Sequence, residues 1–144
     1  MGLDGKPRQL HLEESIACLD PKPRAGLKPL PVLVAQGREL LCATPWFALE
    51  RLRPGPGVAL AAREGFQILQ VLDAPATLRW ADGERKLERG GCVLLPSDLP
   101  VTVCGGTWLR SFVPDLERDV VGPVVASGAS REAAMALTAG TFET

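Results

Sequence analysis

Between residues 30 and 113 the chain is built from short apolar runs of four to eight residues, broken by glycine and proline. That texture predicts strands near 30–35, 38–43, 46–53, 57–62, 66–73, 76–81, 84–88, 92–95, 100–104 and 107–113. Several runs alternate with period two. Trp46, Ala48, Glu50 and Leu52 share one face, and Phe47, Leu49 and Arg51 share the other. Asp82-Gly83 and Gly105-Gly106 each sit between two such runs and predict hairpin turns, because these residues tolerate positive φ. Many short strands with little helix between them indicate an antiparallel sandwich or barrel.

The flanks differ. His11 to Leu19 carries Leu12, Ile16 and Leu19 at helical spacing, with Glu13 and Glu14 in the first turn. A short amphipathic helix is expected there, stopped by Asp20-Pro21-Lys22-Pro23. From Pro114 the strand pattern ends. Ser130 and the alanine-rich stretch to Leu137 suggest a marginal helix or a frayed tail. The expected organisation is a linker loop and helix over 1–27, a β domain over 28–113 and a tail over 114–144.

Composition fits one domain. At 144 residues, 46% hydrophobic and 23% charged, the chain is long enough to bury a single core without disulfides or a structural metal. The net charge is -1, and no block of five like charges occurs, so a nucleic-acid partner is not expected. Neither a signal peptide nor the roughly 20-residue apolar stretch that spans a bilayer is present, so the expected location is the cytoplasm, with no membrane partner. The four cysteines, Cys18, Cys42, Cys92 and Cys104, lack C-x-x-C spacing and are expected to be buried small hydrophobes.

Candidate chemistry is sparse. His11 is the single histidine, so two-histidine metal sites are impossible. The strand acids Glu39, Glu50, Glu84 and Glu88 are isolated from one another in sequence. No nucleophile elbow, phosphate loop or dinucleotide fingerprint occurs. His11 and Cys18, seven residues apart, could face each other across two helical turns, but packing of Cys18 on the apolar side of the helix is the simpler expectation.

The stretch from Glu64 to Leu99 resembles the cupin core, a small jelly roll. Gly90, Gly91 and Pro96 hold the frame of its second motif. In metal-binding cupins a histidine follows about five residues after that proline, and here that position is Val101. The first-motif histidines would fall between Leu60 and Arg63, and none is there. The resemblance implies a metal-free barrel whose interior, with Ile68, Val71, Leu78, Val93 and Leu95, is a packed core. A dry small-ligand pocket is the alternative.

Residues Gly2 to Ile16, with Gly5-Lys6-Pro7-Arg8 and His11, resemble a segment of bacterial class I mannose-6-phosphate isomerases; the likeness runs to about Pro114. Members interconvert mannose 6-phosphate and fructose 6-phosphate at a zinc ion held by His, Glu and Gln. The resemblance places those ligands and a catalytic arginine before Met1. It therefore implies the C-terminal part of such an enzyme: no catalytic residue, no metal ligand, and no activity by itself. Lys6 and Arg8 either neutralise a substrate phosphate or dock the linker on a catalytic barrel, and His11 is a linker residue. The partners implied are a sugar phosphate, an N-terminal catalytic domain or a second copy. A free-standing cupin-like sugar-binding or oligomerising module is the alternative.

Overall fold

The computed structural model describes residues 11–19, 31–73, 75–132 and 134. Ten antiparallel strands form two sheets. They are β1 (Val32–Ala35), β2 (Arg38–Ala43), β3 (Ala48–Leu52), β4 (Val58–Leu60), β5 (Gln67–Asp73), β6 (Ala76–Trp80), β7 (Gly83–Leu87), β8 (Cys92–Leu95), β9 (Val101–Cys104) and β10 (Thr107–Phe112). One sheet has the order β1-β2-β3-β10-β5-β8 and the other β4-β9-β6-β7. The jelly-roll sandwich expected from the pattern is present, and each predicted run overlaps one strand.

The two sheets close on one apolar core. Leu52, Leu69, Val71, Leu95 and Trp108 from the larger sheet meet Leu60, Leu78, Val101 and Val103 from the smaller. Trp108 is fully buried and donates from Nε1 to the Gly105 carbonyl at 2.8 Å, which satisfies its one polar group. Two expected core positions need correction. Ile68 lies on the outer face, 36% exposed, because Gln67, Leu69 and Val71 take the inward phase of β5. Val93 is only partly buried, packed against the core's margin.

The two glycine turns also differ from expectation. In β6–β7 the turn residues are Ala81 and Asp82, and Gly83 already pairs with Trp80 in the ladder. Space favours Gly83 instead: a Cβ there would sit 3.0 Å from the Trp80 ring, which would have to shift by a few tenths of an ångström. Gly105 and Gly106 do adopt positive φ, +63° and +57°. Yet they join β9 of the small sheet to β10 of the large one, so this is a corner between sheets and not a hairpin. A Cβ on Gly106 would approach the Asp73 carbonyl oxygen to 2.5 Å, so both conformation and space demand glycine.

A second core lies at the other end of the large sheet. Asp115 caps a π-helix, Leu116–Val121, by accepting from the Arg118 N–H at 3.0 Å, and α2 (Gly122–Ala126) continues it. Taking Leu12–Ala17 as α1, these are the second and third helical segments. Val120, Val121 and Val124 pack with Leu40, Ala43, Ala48 and Phe112. The chain beyond Pro114 is thus not a detached tail: an additional helical segment over 116–126 completes the core, because the β1–β3 end of the sheet would otherwise face water, and the expected helix begins after Ser130, where the Ala134 N–H donates to the Ser130 carbonyl at 3.0 Å. Ala134 is buried in the same cluster; Met135 to Leu137 lie outside the described residues.

Helix α1 forms where expected, but it buries none of its residues. Leu12, Ile16 and Leu19 are all exposed. The cysteines also differ from expectation. Cys18 and Cys92 are exposed and Cys42 and Cys104 half-buried, all as free thiols. On β9, for example, Val101 and Val103 take the inward phase and leave Cys104 outward.

Trp108 anchors both the core and the corner turn. Replacing it with alanine is expected to cost about 3–5 kcal/mol, measured by urea unfolding. A loss under about 1 kcal/mol would show that the two sheets do not depend on this contact.

Candidate functional site

The inward faces of β3, β5 and β10 carry an unusual layer. On β3 the inward residues are Ala48, Glu50 and Leu52, and on β10 they are Trp108, Arg110 and Phe112. Glu50 and Arg110 are direct partners in the ladder. They lie between the sandwich core, which holds Leu52 and Trp108, and the helix-covered core, which holds Ala48 and Phe112. Gln67 opens β5 opposite Phe112, one inward position along from Leu69, the ladder partner of Arg110. These three are the buried polar side chains among the described residues.

The layer is tightly bonded. Glu50 accepts from Arg110 Nη1 at 2.8 Å and from Arg38 Nη2 at 2.7 Å, one arginine per oxygen. Arg110 Nε donates to Gln67 Oε1 at 2.8 Å. Arg63, on the loop after β4, donates to Asp119 Oδ2 at 2.7 Å and to the Val113 carbonyl at 2.9 Å. The guanidinium carbons of Arg63 and Arg110 each lie 4.2 Å from the centroid of the Phe112 ring, a cation–π distance. Arg118 reaches Asp119 from the exposed side at 3.1 Å.

These groups open onto a cleft of about 280 Å³ lined by Arg38, Leu60, Ala61, Ala62, Arg63, Arg110, Arg118 and Asp119. Burial pushes the Arg110 guanidinium below its ordinary value; Glu50 opposes this, and Arg38 and Arg63 add to it. Arginine nevertheless stays protonated in proteins. For Asp119, burial pushes the carboxyl upward. Hydrogen bonds from Arg118, the Asp115 backbone and Arg63 outweigh burial and hold it below its ordinary 3.8. A larger cleft, about 400 Å³, lies over β4, β9 and β6. Its charged lining residue, Arg79, is already paired with Glu84 at 3.0 Å.

The cleft includes the stretch, residues 60–63, at which the resemblance to cupins would put the first-motif histidines. Leu60, Ala61, Ala62 and Arg63 stand there, and Val101 at the second-motif position is buried in the sandwich core. This donor set does not fit zinc. Both Glu50 oxygens are taken by arginines, Gln67 Oε1 by Arg110, and the surrounding charge is positive, which repels a divalent cation. Among the described residues no group of three His, Cys, Asp or Glu side chains could hold a metal ion.

The candidates read from the sequence fall elsewhere. Lys6 and Arg8 lie outside the described residues. His11 precedes α1, exposed, with Nδ1 3.6 Å from Glu14 Oε1. Cys18 caps the other end of α1, and among the described residues no hydrogen bond or ion pair joins it to His11. The arginine layer was missed. Its signal was available: Glu50 and Arg110 each hold the inward phase of a strand between large apolar residues.

The architecture is that of the cupins. Mannose 6-phosphate isomerase from Bacillus subtilis has a TM-score of 0.58 to this chain at 20% identity, covering 77% of this chain and 37% of its own. An RmlC-like cupin from Shewanella frigidimarina has a TM-score of 0.51 at 15% identity, covering 71% of this chain and 97% of its own. At these identities the likeness establishes the fold alone. The chain spans about 37% of the isomerase's length. No family model matches the sequence, and no curated protein does. No described helix is long and apolar enough to cross a membrane.

The depressed Asp119 carboxyl makes a signed prediction. Its contribution is complete above 3.8, the ordinary value, and is lost as pH falls through the lower value of the folded state. Asp119→Asn should lose about 2 kcal/mol at pH 7 and show a shallower fall in stability below pH ~4, read from urea unfolding across pH. An acid limb identical to that of the unaltered protein would contradict the assignment.

Proposed function

We propose that this chain is the C-terminal, non-catalytic cupin-like domain of a mannose-6-phosphate isomerase-like protein, with no resident metal and no isomerase activity of its own. The observation that carries the reading is the guanidinium cluster at the cupin metal position. A barrel filled there by Arg38, Arg63 and Arg110 cannot supply the Lewis acid that such an isomerisation uses. The zinc site belongs to a separate catalytic barrel, which this domain supports.

The apolar face of α1 favours a docking role within such a protein. Leu12, Ile16 and Leu19 are each more than 60% exposed, and a helix face of that kind gains most of its stability by packing against a neighbour. In this reading Lys6, Arg8 and His11 belong to the linker and dock it on the catalytic barrel. Four free cysteines agree with a reducing compartment, the cytoplasm. The same exposed face also favours a second reading, a free-standing cupin-like module that oligomerises or binds sugar; there a second copy would cover α1.

Two measurements separate these. The purified chain, supplied with zinc, should convert no mannose 6-phosphate to fructose 6-phosphate above the buffer rate; zinc-dependent turnover would contradict the non-catalytic reading. The genomic sequence upstream of the Met1 codon should continue in frame into a region encoding His, Glu and Gln ligands and a catalytic arginine. Stop codons with a ribosome-binding site there would overturn the domain reading in favour of the free-standing module.

A further inference from the structure

We infer that the outward face of the six-stranded sheet, around Ile68 and Leu94, is an interface at which two copies of this chain pack sheet against sheet. The inference stands on that face and does not rest on the isomerase reading. In the ladder Leu49 pairs with Ser111, Ser111 with Ile68, and Ile68 with Leu94, so these four residues form one row across β3, β10, β5 and β8. Leu69 on β5 and Leu95 on β8 take the inward phase, which sets the row on the opposite side of the sheet. Phe47, Val113 and Phe66 sit one position beyond the rungs made by Ala48, Phe112 and Gln67, and they continue the outward phase. None of these seven residues is charged, and Ser111 alone is polar. A contiguous apolar patch with a polar surround marks an interaction surface.

The area of the patch says what covers it. Phe47, Phe66, Ile68, Leu94 and Val113 are 36 to 64% exposed. At about 150–250 Å² for a large apolar side chain in full contact with water, the five keep on the order of 500 Å² of apolar surface exposed. A standard interface takes about 800 Å² from each partner, and about two-thirds of that is apolar where two copies of one chain meet. The patch matches that apolar share. The next row along the same strands, Gln70, Leu109, Arg51 and Glu39, begins the polar rim. There Glu39 accepts from Arg51 at 2.6 Å and from Arg53 at 2.7 Å. An apolar centre with a polar edge is the anatomy of a protein interface. A two-fold contact sets the patch against itself and needs no complementary charge, whereas an acidic or basic partner would find no counter-charge here. A lipid surface would call for lysine and arginine around the patch. The strands of this sheet carry no lysine, and Arg51 and Arg53 share Glu39.

The test is light scattering during size-exclusion chromatography of the full chain over a concentration series, beside sedimentation with phosphatidylcholine vesicles. The unaltered chain should elute at twice the mass of one chain. Leu94→Lys, on the edge strand β8, and Phe66→Lys, just before β5, each bring like charges together across the two-fold contact. Both should keep the circular dichroism of the unaltered chain and weaken the dimer by at least about a hundredfold. If one of them fails to fold, the other decides. Ile16→Ser, on the exposed face of α1, should leave the dimer intact. A monomer at every concentration, a dimer that survives both lysine substitutions, or a dimer lost only in Ile16→Ser would overturn the inference. A monomer that sediments with the vesicles would also overturn it and assign the face to a lipid surface.

Discussion

The fully buried carboxylate of Glu50, held between Arg38 and Arg110, is the constraint around which the rest of the molecule is arranged. A carboxylate out of water is tolerated only when its charge is matched and its lone pairs are used. Glu50 meets both conditions, with one guanidinium per oxygen. The arginines in turn fix their surroundings. Arg110 brings in Gln67 from the neighbouring strand, and the Phe112 ring carries both Arg110 and Arg63. Arg63 then ties the loop after β4 to the π-helix through Asp119. One polar layer so links the large sheet, a loop from the small sheet and the helical segment.

That layer separates two apolar cores that have different covers. The four-stranded sheet covers one, and the π-helix with α2 covers the other. A cupin barrel that used its interior for a metal would need open, ligating side chains at the junction. Here the junction holds an arginine-rich ion network, which repels divalent cations and attracts anions. The charge at this junction follows from the residues at 38, 50, 63 and 110.

How much of this was legible in the sequence depends on the range of the interaction. The strands were legible, because alternation and glycine punctuation are local signals. The corner at Gly105-Gly106 was legible as a turn but not as a crossing between sheets, since that depends on which partners β9 and β10 choose. The helical cover was hidden by Gly122 and Pro123, which interrupt the spacing of Val120, Val121 and Val124. The ion layer was hidden most deeply: Glu50 and Arg110 are 60 residues apart. The period-two alternation places Glu50 on the face of Ala48 and Leu52, as the structure does, but nothing local says what meets it there. A charged residue in the inward phase of two separate strands was the available clue. The cysteines mislead for the converse reason, since apolar neighbours in sequence do not fix which face a strand residue takes.

The Glu50–Arg110 pair organises the interior of this barrel. A double-mutant cycle tests it most directly. Glu50→Gln, Arg110→Met and the double variant are each unfolded in urea, without added metal. The account predicts that the double variant loses less stability than the two single variants together, with a coupling of at least about 1 kcal/mol, because each single change strands a buried charge. Losses that add to within about 0.5 kcal/mol would contradict it.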